Sequence, residues 1–282
     1  MLGGGPNIAA MGIGRAVGAA FSGWRDAIAR MLVKLGVSPN RLTVAGFYWT
    51  LAAGACLAAG GGDRFAWNLR PSLSGGPGGS AYCLLAGIML VLCSAGDMLD
   101  GAVARLGKTA TTFGAFLDST LDRFSDFAVF AGIAFYFAVH RNVTYTLLPM
   151  VALFASLMIS YTRARAEDLI KFCTVGYWQR GERMAAVLIG VFAHNLPAML
   201  WQQALLPLLT VYARIVYTQR VASGKPVADD PGHSHSGWDK FRLWRFPRMS
   251  WQYDLVTAIN IAWLIFARIP AGFDPISRAL GL

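Results

Sequence analysis

Acidic residues are concentrated in one short stretch of an otherwise apolar region. Five of the fifteen acidic residues fall within residues 96–126: Asp97, Asp100, Asp118, Asp122 and Asp126. Asp97 and Asp100 are three residues apart, and Asp118 and Asp122 are four apart, so each pair would share one face of a helix. An aspartate in the middle of a membrane span costs on the order of 3 kcal/mol. These carboxylates should therefore face protein, water or metal.

The connection between the two pairs, with Gly107 and the polar run KTATT, is short enough to return the second helix antiparallel to the first. The four carboxylates would then converge. Without a nearby His or Cys, they form a hard, all-oxygen site that suits Mg²⁺ or Mn²⁺, and magnesium commonly serves phosphates. The small residues Gly101 and Ala104 either leave space for a ligand or allow close helix packing.

The elements that must hold these carboxylates are apolar helices. The chain of 282 residues is 55% hydrophobic and only 14% charged, and its apolar residues occur in blocks. This composition predicts an all-α integral membrane protein. Runs close to the length of about 20 residues that crosses a bilayer predict six spans. They lie near residues 42–60, 82–104, 115–138, 144–162, 184–200 and 203–219.

Basic residues orient these spans, because Lys and Arg in short loops favour the cytoplasmic side. With a cytoplasmic N-terminus, most basic residues fall on the inside, and the formal net charge of +10 describes a basic cytoplasmic face. Such a face suits anionic lipid or anionic substrates. Nucleic acid is not expected as a partner, because no basic recognition module stands apart from the spans.

The flanking regions divide the chain further. Residues 1–36 comprise a Gly-rich tail and an amphipathic helix, which would either lie in the membrane interface or pack on the bundle. Residues 221–250 form a polar linker in which His233 and His235 could bind a metal weakly or simply face solvent. Residues 251–282 carry an extra apolar run, 252–267, that would span the membrane, re-enter it or lie along its surface.

The acidic stretch carries a specific signature. It reads D-x2-D-G-x2-A-R-x8-G-x3-D-x3-D, without gap or substitution, at Asp97, Asp100, Gly101, Ala104, Arg105, Gly114, Asp118 and Asp122. The protein therefore resembles the CDP-alcohol phosphotransferases over residues 37–220. The resemblance implies a bundle of six transmembrane helices, two divalent ions and a homodimer in a prokaryotic cell membrane, with the active site facing the cytoplasm.

The resemblance also implies roles for individual residues. The metal ligands would be Asp97, Asp100, Asp118 and Asp122. Asp122 would also act as the base toward the acceptor hydroxyl, whose oxygen would attack the β-phosphorus of CDP-diacylglycerol and expel CMP. Positions around the CDP group correspond to Asn40, Thr43, Gly101, Arg105 and Thr111.

Two further stretches bear on the acceptor, SYTRARAE at 160–167 and VGYWQRGERM at 175–184. Arginine suits phosphate because its planar donors can bind two oxygens, although positive-inside topology also explains basic loops. These stretches resemble those of phosphatidylinositol-phosphate synthases and archaeal inositol-phosphate transferases. That resemblance implies inositol 1-phosphate as the acceptor, with its phosphate bound by Ser160, Arg163, Arg183 and Arg214. Glycerol 3-phosphate, which would use the same cations, is the alternative acceptor.

A transporter is the alternative from a different class, because acids inside a membrane also mark proton or cation pathways. It would spread its acidic residues through the depth of the bundle. The acids within the predicted spans instead form one compact block beside Gly101 and Arg105. The sequence therefore favours the enzyme.

Overall fold

The computed structural model describes residues 13–60, 81–224, 241–248, 250–269 and 272–281. The predicted all-α class is confirmed for these residues, which form nine helices with described ends. They are α1 (Ile13–Lys34), α2 (Pro39–Gly60), α3 (Ala81–Leu106), α4 (Thr112–Val139), α5 (Val143–Glu167), α6 (Arg180–Phe192), α7 (Leu196–Ala222), α8 (Trp251–Phe266) and α9 (Pro275–Leu280). His233 and His235 lie outside the described residues.

The chain divides into two compact units, and the first contains the described residues up to 48 together with residues 92–122. In this unit, Ala29 of α1 is fully buried in a small apolar cluster with Ala102 and Val103 of α3. Other apolar residues of α1 are exposed to solvent, with Trp24 62% and Met31 55% exposed. The helix therefore packs through one face on α3 and keeps apolar side chains on its surface.

The second unit contains the described residues among 49–91 and from 123 onward. Its main apolar core includes the fully buried Leu57, Leu90 and Ile133. Within this unit, α2 and α4 approach closely at two glycines. A Cβ atom added to Gly54 or Gly132 would collide with the backbone of the other helix, so only glycine fits at this crossing.

Three helices, α2, α3 and α5, are long and apolar enough to cross a membrane, among the residues searched. The described part of residues 37–222 contains six helices, α2 to α7, as many as the predicted spans. The expected fifth span, 184–200, is wrong as a single helix. Helix α6 has only 13 residues, and at a rise of 1.5 Å per residue it is about 20 Å long, less than the roughly 30 Å hydrocarbon core.

The chain turns between α6 and α7 for local reasons. His194 adopts a left-handed conformation, with φ of 49°. Pro197 then occupies the first turn of α7, where its missing N–H costs nothing. Residues 196–200, which the sequence assigned to the fifth span, therefore belong to α7.

The extra apolar run forms α8, which packs against α6 and α7. Its Asn260 accepts a hydrogen bond from Gln202 Nε2 at 2.7 Å. Trp263 Nε1 donates to the carbonyl oxygen of Ala198 at 3.0 Å. With 16 residues, α8 is about 24 Å long.

Asp274, just before α9, joins the end of the described chain to the start of α5. Its carboxylate accepts from the backbone N–H groups of Val143, at 2.8 Å, and Thr144, at 3.0 Å. It also accepts from Ser277 N in its own helix, at 3.1 Å. Partial removal from water acts to raise the pKa of Asp274, but hydrogen bonds from Thr144, Ser277 and Val143 outweigh it and lower the pKa to about 2.

Candidate active site

Three of the four predicted metal ligands come together in the first unit. Carboxylate oxygens of Asp97, Asp100 and Asp118 all lie within 4.8 Å of one another, and we call these three residues the carboxylate group. Asp97 and Asp100 lie on α3, and Asp118 on α4. Between these helices the chain turns at Lys108, whose φ is 53°. The expected convergence across a short connection is thus confirmed for these three residues.

The hydroxyl group of Thr43 orients one member of the carboxylate group. Thr43 Oγ1 lies 2.6 Å from Asp100 Oδ2, to which it can donate a hydrogen bond. Asp100 is only 7% exposed, so its carboxylate cannot rely on water for stabilisation. Thr43 was predicted to line the CDP group, and the structure gives it a contact with a predicted metal ligand.

Gly114 of the signature lies between two of the predicted CDP-binding residues. A Cβ atom at this position would lie 3.1 Å from both Asn40 Oδ1 and Thr111 Oγ1. Thr111 Oγ1 also accepts a hydrogen bond from Gly114 N at 3.0 Å, as an N-cap side chain does at a helix start. The absence of a side chain at Gly114 therefore leaves room for the Asn40 and Thr111 side chains beside the first turn of α4.

Gly101 borders open space next to the carboxylate group. A Cβ atom built on it would meet only Arg105 Nη1 within 4 Å, at 3.4 Å. Close helix packing therefore does not account for glycine at this position, and the alternative of space for a ligand remains. Arg105 is exposed at the same place and brings a positive charge.

Asp122, the fourth predicted ligand and the predicted base, lies one turn beyond Asp118 on α4 and is not part of the carboxylate group. Its roles stay predictions. The group itself fits a divalent ion, because it presents hard oxygen donors and brings like charges close together. A cation bound there would relieve that repulsion.

Among the described residues of the second unit, two arginines are buried, Arg183 and Arg214, which we call the arginine pair. They are 6% and 2% exposed, respectively. Arg183 Nη2 lies 3.6 Å from Asp126 Oδ2, and its Nη1 donates to the Trp178 carbonyl at 3.4 Å. Arg214 donates from Nε to the Val175 carbonyl at 3.3 Å and from Nη1 to the carbonyl of Ile159. Both guanidinium groups are thus held by protein acceptors.

The other two predicted acceptor residues lie near the C-terminal end of α5. Arg163 is exposed and pairs with Glu167 at 2.9 Å, four residues along the helix. Its charge is close enough to act on Arg214, as is that of Arg183. Ser160 is partly buried and follows Ile159, whose carbonyl binds Arg214.

Asp126 is the residue whose role the sequence did not reveal. It is 8% exposed, and its carboxylate accepts a hydrogen bond from Ser156 in addition to its ion pair with Arg183. Arg183 lies 57 residues further along the chain, so no local pattern relates the two. The sequence signal was only that Asp126 follows Asp122 by four residues, which could not identify its partner.

The chain is similar to one family of known proteins. A sequence model of the family described as CDP-alcohol phosphatidyltransferase matches residues 37–219. The archaetidylinositol phosphate synthase of Pyrococcus horikoshii is 33% identical over 191 residues, which are 67% of this chain and 88% of that protein. The phosphatidylinositol phosphate synthase of Mycobacterium tuberculosis is 34% identical over 207 residues, 72% of this chain and 86% of that protein.

Crystal structures of a Mycobacterium tuberculosis phosphatidylinositol phosphate synthase are also similar to this chain. The structure with CDP-DAG bound has a TM-score of 0.57 and 28% identity, and covers 69% of this chain and 92% of that one. The structure in complex with manganese and citrate has the same TM-score and identity, with 69% and 88% covered.

Proposed function

The chain belongs to the CDP-alcohol phosphatidyltransferase family and is therefore a transferase, and from this premise we propose its substrates. It transfers the phosphatidyl group of CDP-diacylglycerol to inositol 1-phosphate and releases CMP. The observation that carries this proposal is the carboxylate group, formed by three aspartates of an unbroken family signature. The named activities of the relatives support inositol phosphate as the acceptor.

Asp97, Asp100 and Asp118 are the residues that would hold divalent metal, either Mg²⁺ or Mn²⁺, with Asp122 sharing a second ion. When bound, such ions neutralise pyrophosphate charge and stabilise the attacking and leaving oxygens. Thr43 holds the Asp100 carboxylate in one orientation through its hydroxyl group. Asn40, Gly101, Arg105 and Thr111 bind the CDP part of the donor in this proposal.

The reaction forms one bond and breaks one. The acceptor hydroxyl oxygen bonds to the β-phosphorus of CDP-diacylglycerol, while the bond from that phosphorus to the bridging oxygen breaks and CMP leaves. Asp122 accepts the proton of the acceptor hydroxyl. A carboxylate is a modest base at neutral pH, so its contribution comes from its position.

The acceptor's own phosphate binds Arg183 and Arg214, with Ser160 and Arg163. Burial supports this assignment, because guanidinium groups withdrawn from water interact more strongly with an anion than exposed ones do. Glycerol 3-phosphate would meet the same positive charges and lacks only the ring hydroxyls, so it is the competing acceptor.

Six membrane-embedded helices, α2 to α7, would form the body of the enzyme, with the active site on the cytoplasmic side. The uneven distribution of basic residues supports this orientation. A homodimer in a prokaryotic cell membrane follows from the family resemblance. Crosslinking in membranes and protease accessibility of the loops test the dimer and the orientation.

The decisive experiment measures CMP release by purified protein in detergent with Mg²⁺ and CDP-diacylglycerol. Inositol 1-phosphate, free inositol, glycerol 3-phosphate and L-serine are compared as acceptors. Release with inositol 1-phosphate alone is expected. Release with glycerol 3-phosphate instead would keep the chemistry and replace the acceptor, whereas no release, together with no Mg²⁺-dependent stabilisation by CDP, would favour the transporter alternative.

A further inference from the structure

The loop between α5 and α6, residues 168–179, supplies backbone oxygens to the arginine pair. Arg214 Nε donates to the carbonyl of Val175 at 3.3 Å, and Arg183 Nη1 donates to that of Trp178 at 3.4 Å. Trp178 N in turn donates to Thr210 Oγ1 of α7 at 3.0 Å. The position of this loop therefore helps to set where both guanidinium groups point.

The two residues between those carbonyls are bound by a segment from much later in the chain. We call residues 241–266 the C-terminal segment, which lies outside the region matched by the family, 37–219. Gly176 N donates to the carbonyl of Leu243 at 3.2 Å. The hydroxyl group of Tyr177 forms a hydrogen bond with Thr257 Oγ1 at 3.0 Å.

Aromatic rings strengthen this attachment. The Tyr177 ring packs edge-on against Trp244, with centroids 5.2 Å apart. It also packs against the Tyr253 ring, with centroids 5.3 Å apart. Aromatic pairs in this range of separations add attraction beyond the area that they bury. The loop is thus bound by the C-terminal segment through both backbone and side-chain contacts.

A second attachment is made at the residue before Arg183. Glu182 Oε1 accepts from Arg248 Nε at 3.0 Å and Nη2 at 2.7 Å. It also accepts from the hydroxyl group of Tyr253 at 2.6 Å. The Glu182 side chain is only 9% exposed, whereas that of Arg248 is 62% exposed. The buried carboxylate of Glu182 thus accepts charge-assisted bonds that hold the first turn of α6.

We propose that the C-terminal segment positions the arginine pair for the acceptor, with Tyr253 and Arg248 as its main positioning residues. They act through Glu182 and through the loop at residues 168–179, and they do not touch the reacting atoms. Because these side chains and the loop are ordered when the chain folds, acceptor binding does not have to supply the free energy needed to order them. The proposal rests on the proposed function of Arg183 and Arg214 as acceptor-binding residues.

The test compares Tyr253→Phe, which removes one hydroxyl group and keeps the ring, with Tyr48→Phe at an exposed tyrosine of the first unit. Arg248→Ala is compared with Arg248→Lys, which keeps the charge. Steady-state kinetics use the full-length protein and the acceptor that supports CMP release by the wild type. We expect Tyr253→Phe and Arg248→Ala to raise the acceptor KM about five- to tenfold.

In the same variants, kcat and the KM for CDP-diacylglycerol should remain within about twofold of the wild-type values. Tyr48→Phe should change nothing, and Arg248→Lys should restore most of the acceptor affinity. An unchanged acceptor KM in both Tyr253→Phe and Arg248→Ala would overturn the proposal. So would a uniform loss of activity with lower thermal stability, which indicates a purely structural segment.

Hydrogen–deuterium exchange on the same proteins in detergent provides a readout without turnover. Exchange of the amides of residues 168–183 should speed up in Tyr253→Phe and Arg248→Ala and stay the same in Tyr48→Phe. If the wild type accepts a different alcohol, the acceptor assignment fails while the KM comparison still tests the segment. If no acceptor supports release, unchanged exchange in this region overturns the proposal by itself.

Discussion

The carboxylate group and the arginine pair are both clusters of like charge, but they are stabilised differently. The carboxylate group brings three acidic side chains within 4.8 Å, an arrangement that an added cation would stabilise. The arginine pair already has protein acceptors, among them Asp126 and the carbonyls of Val175 and Trp178. We therefore expect a bound ion to stabilise the carboxylate group further, whereas the arginine pair is already held by protein acceptors in the structure.

Asp100→Asn tests this dependence on an ion most severely. It keeps the size of the side chain but removes a negative charge from the carboxylate group, so we expect turnover below detection. Mg²⁺ should also lose its ability to raise the thermal stability of the protein. The matched control is Asp168→Asn, at an exposed aspartate. An Asp100→Asn variant with half of the wild-type turnover would contradict the metal assignment.

Asp122→Asn asks whether this residue belongs functionally with the carboxylate group, since it is not part of the group in the structure. Loss of a general base should lower kcat by about 10²- to 10⁴-fold while CDP-lipid binding is retained. CMP release and equilibrium binding of a CDP-lipid measure the two effects. Near-normal turnover would rule out Asp122 as the base.

Thr43→Val removes the hydroxyl group that contacts Asp100 and leaves a side chain of similar shape. Removing a group that orients a metal ligand typically lowers metal affinity by about 10- to 100-fold. The Mg²⁺ concentration for half-maximal activity should therefore rise by a factor within this range. Thr43→Ser, which keeps the hydroxyl group, is the control and should behave like the wild type. Equal Mg²⁺ requirements in both variants would show that the hydrogen bond does not matter for the ion.

Arg183→Lys tests the arginine pair, and of these four substitutions we expect it to have the smallest effect. Lysine retains a positive charge opposite Asp126 but loses the planar arrangement of donors, so the acceptor KM should rise by roughly tenfold. Arg165→Lys, at an exposed arginine that pairs with Asp168, is the control. If Arg183→Lys left the acceptor KM unchanged, the arginine pair would have only a structural role. The two clusters would then differ in how the protein holds them, and not in which substrate group each one binds.

The carboxylate group was predictable because it is built locally. Asp97 and Asp100 lie near the end of one helix, Asp118 lies near the start of the next, and a short connection brings them together. Spacing on a helix was therefore sufficient for these three residues, although the same reasoning also placed Asp122 with them. The contact of Thr43 with Asp100 joins residues 57 positions apart, and nothing in the spacing of the aspartates indicates it.

The arginine partners and the α6–α7 boundary were not predictable from local pattern. The acceptors of Arg214 lie 39 and 55 residues away along the chain, and apolar periodicity does not encode such contacts. The boundary was missed because residues 184–200 are apolar apart from His194 and Asn195, although Pro197 marked a helix start. Asn195 is satisfied there by the carbonyls of Leu264 and Ala267, which belong to a segment whose placement the sequence left open.

Asp274 has a consequence for the biogenesis of the protein. Asn142 caps α5 locally, but Asp274 also accepts from the amide of Val143, 131 residues earlier in the chain, so the ribosome completes this helix long before this second acceptor exists. Until then, the amides of Val143 and Thr144 need water or another acceptor. The start of α5 therefore gains these two hydrogen bonds only after residue 274 has been made, and a chain released before that residue would contain the whole signature but lack them.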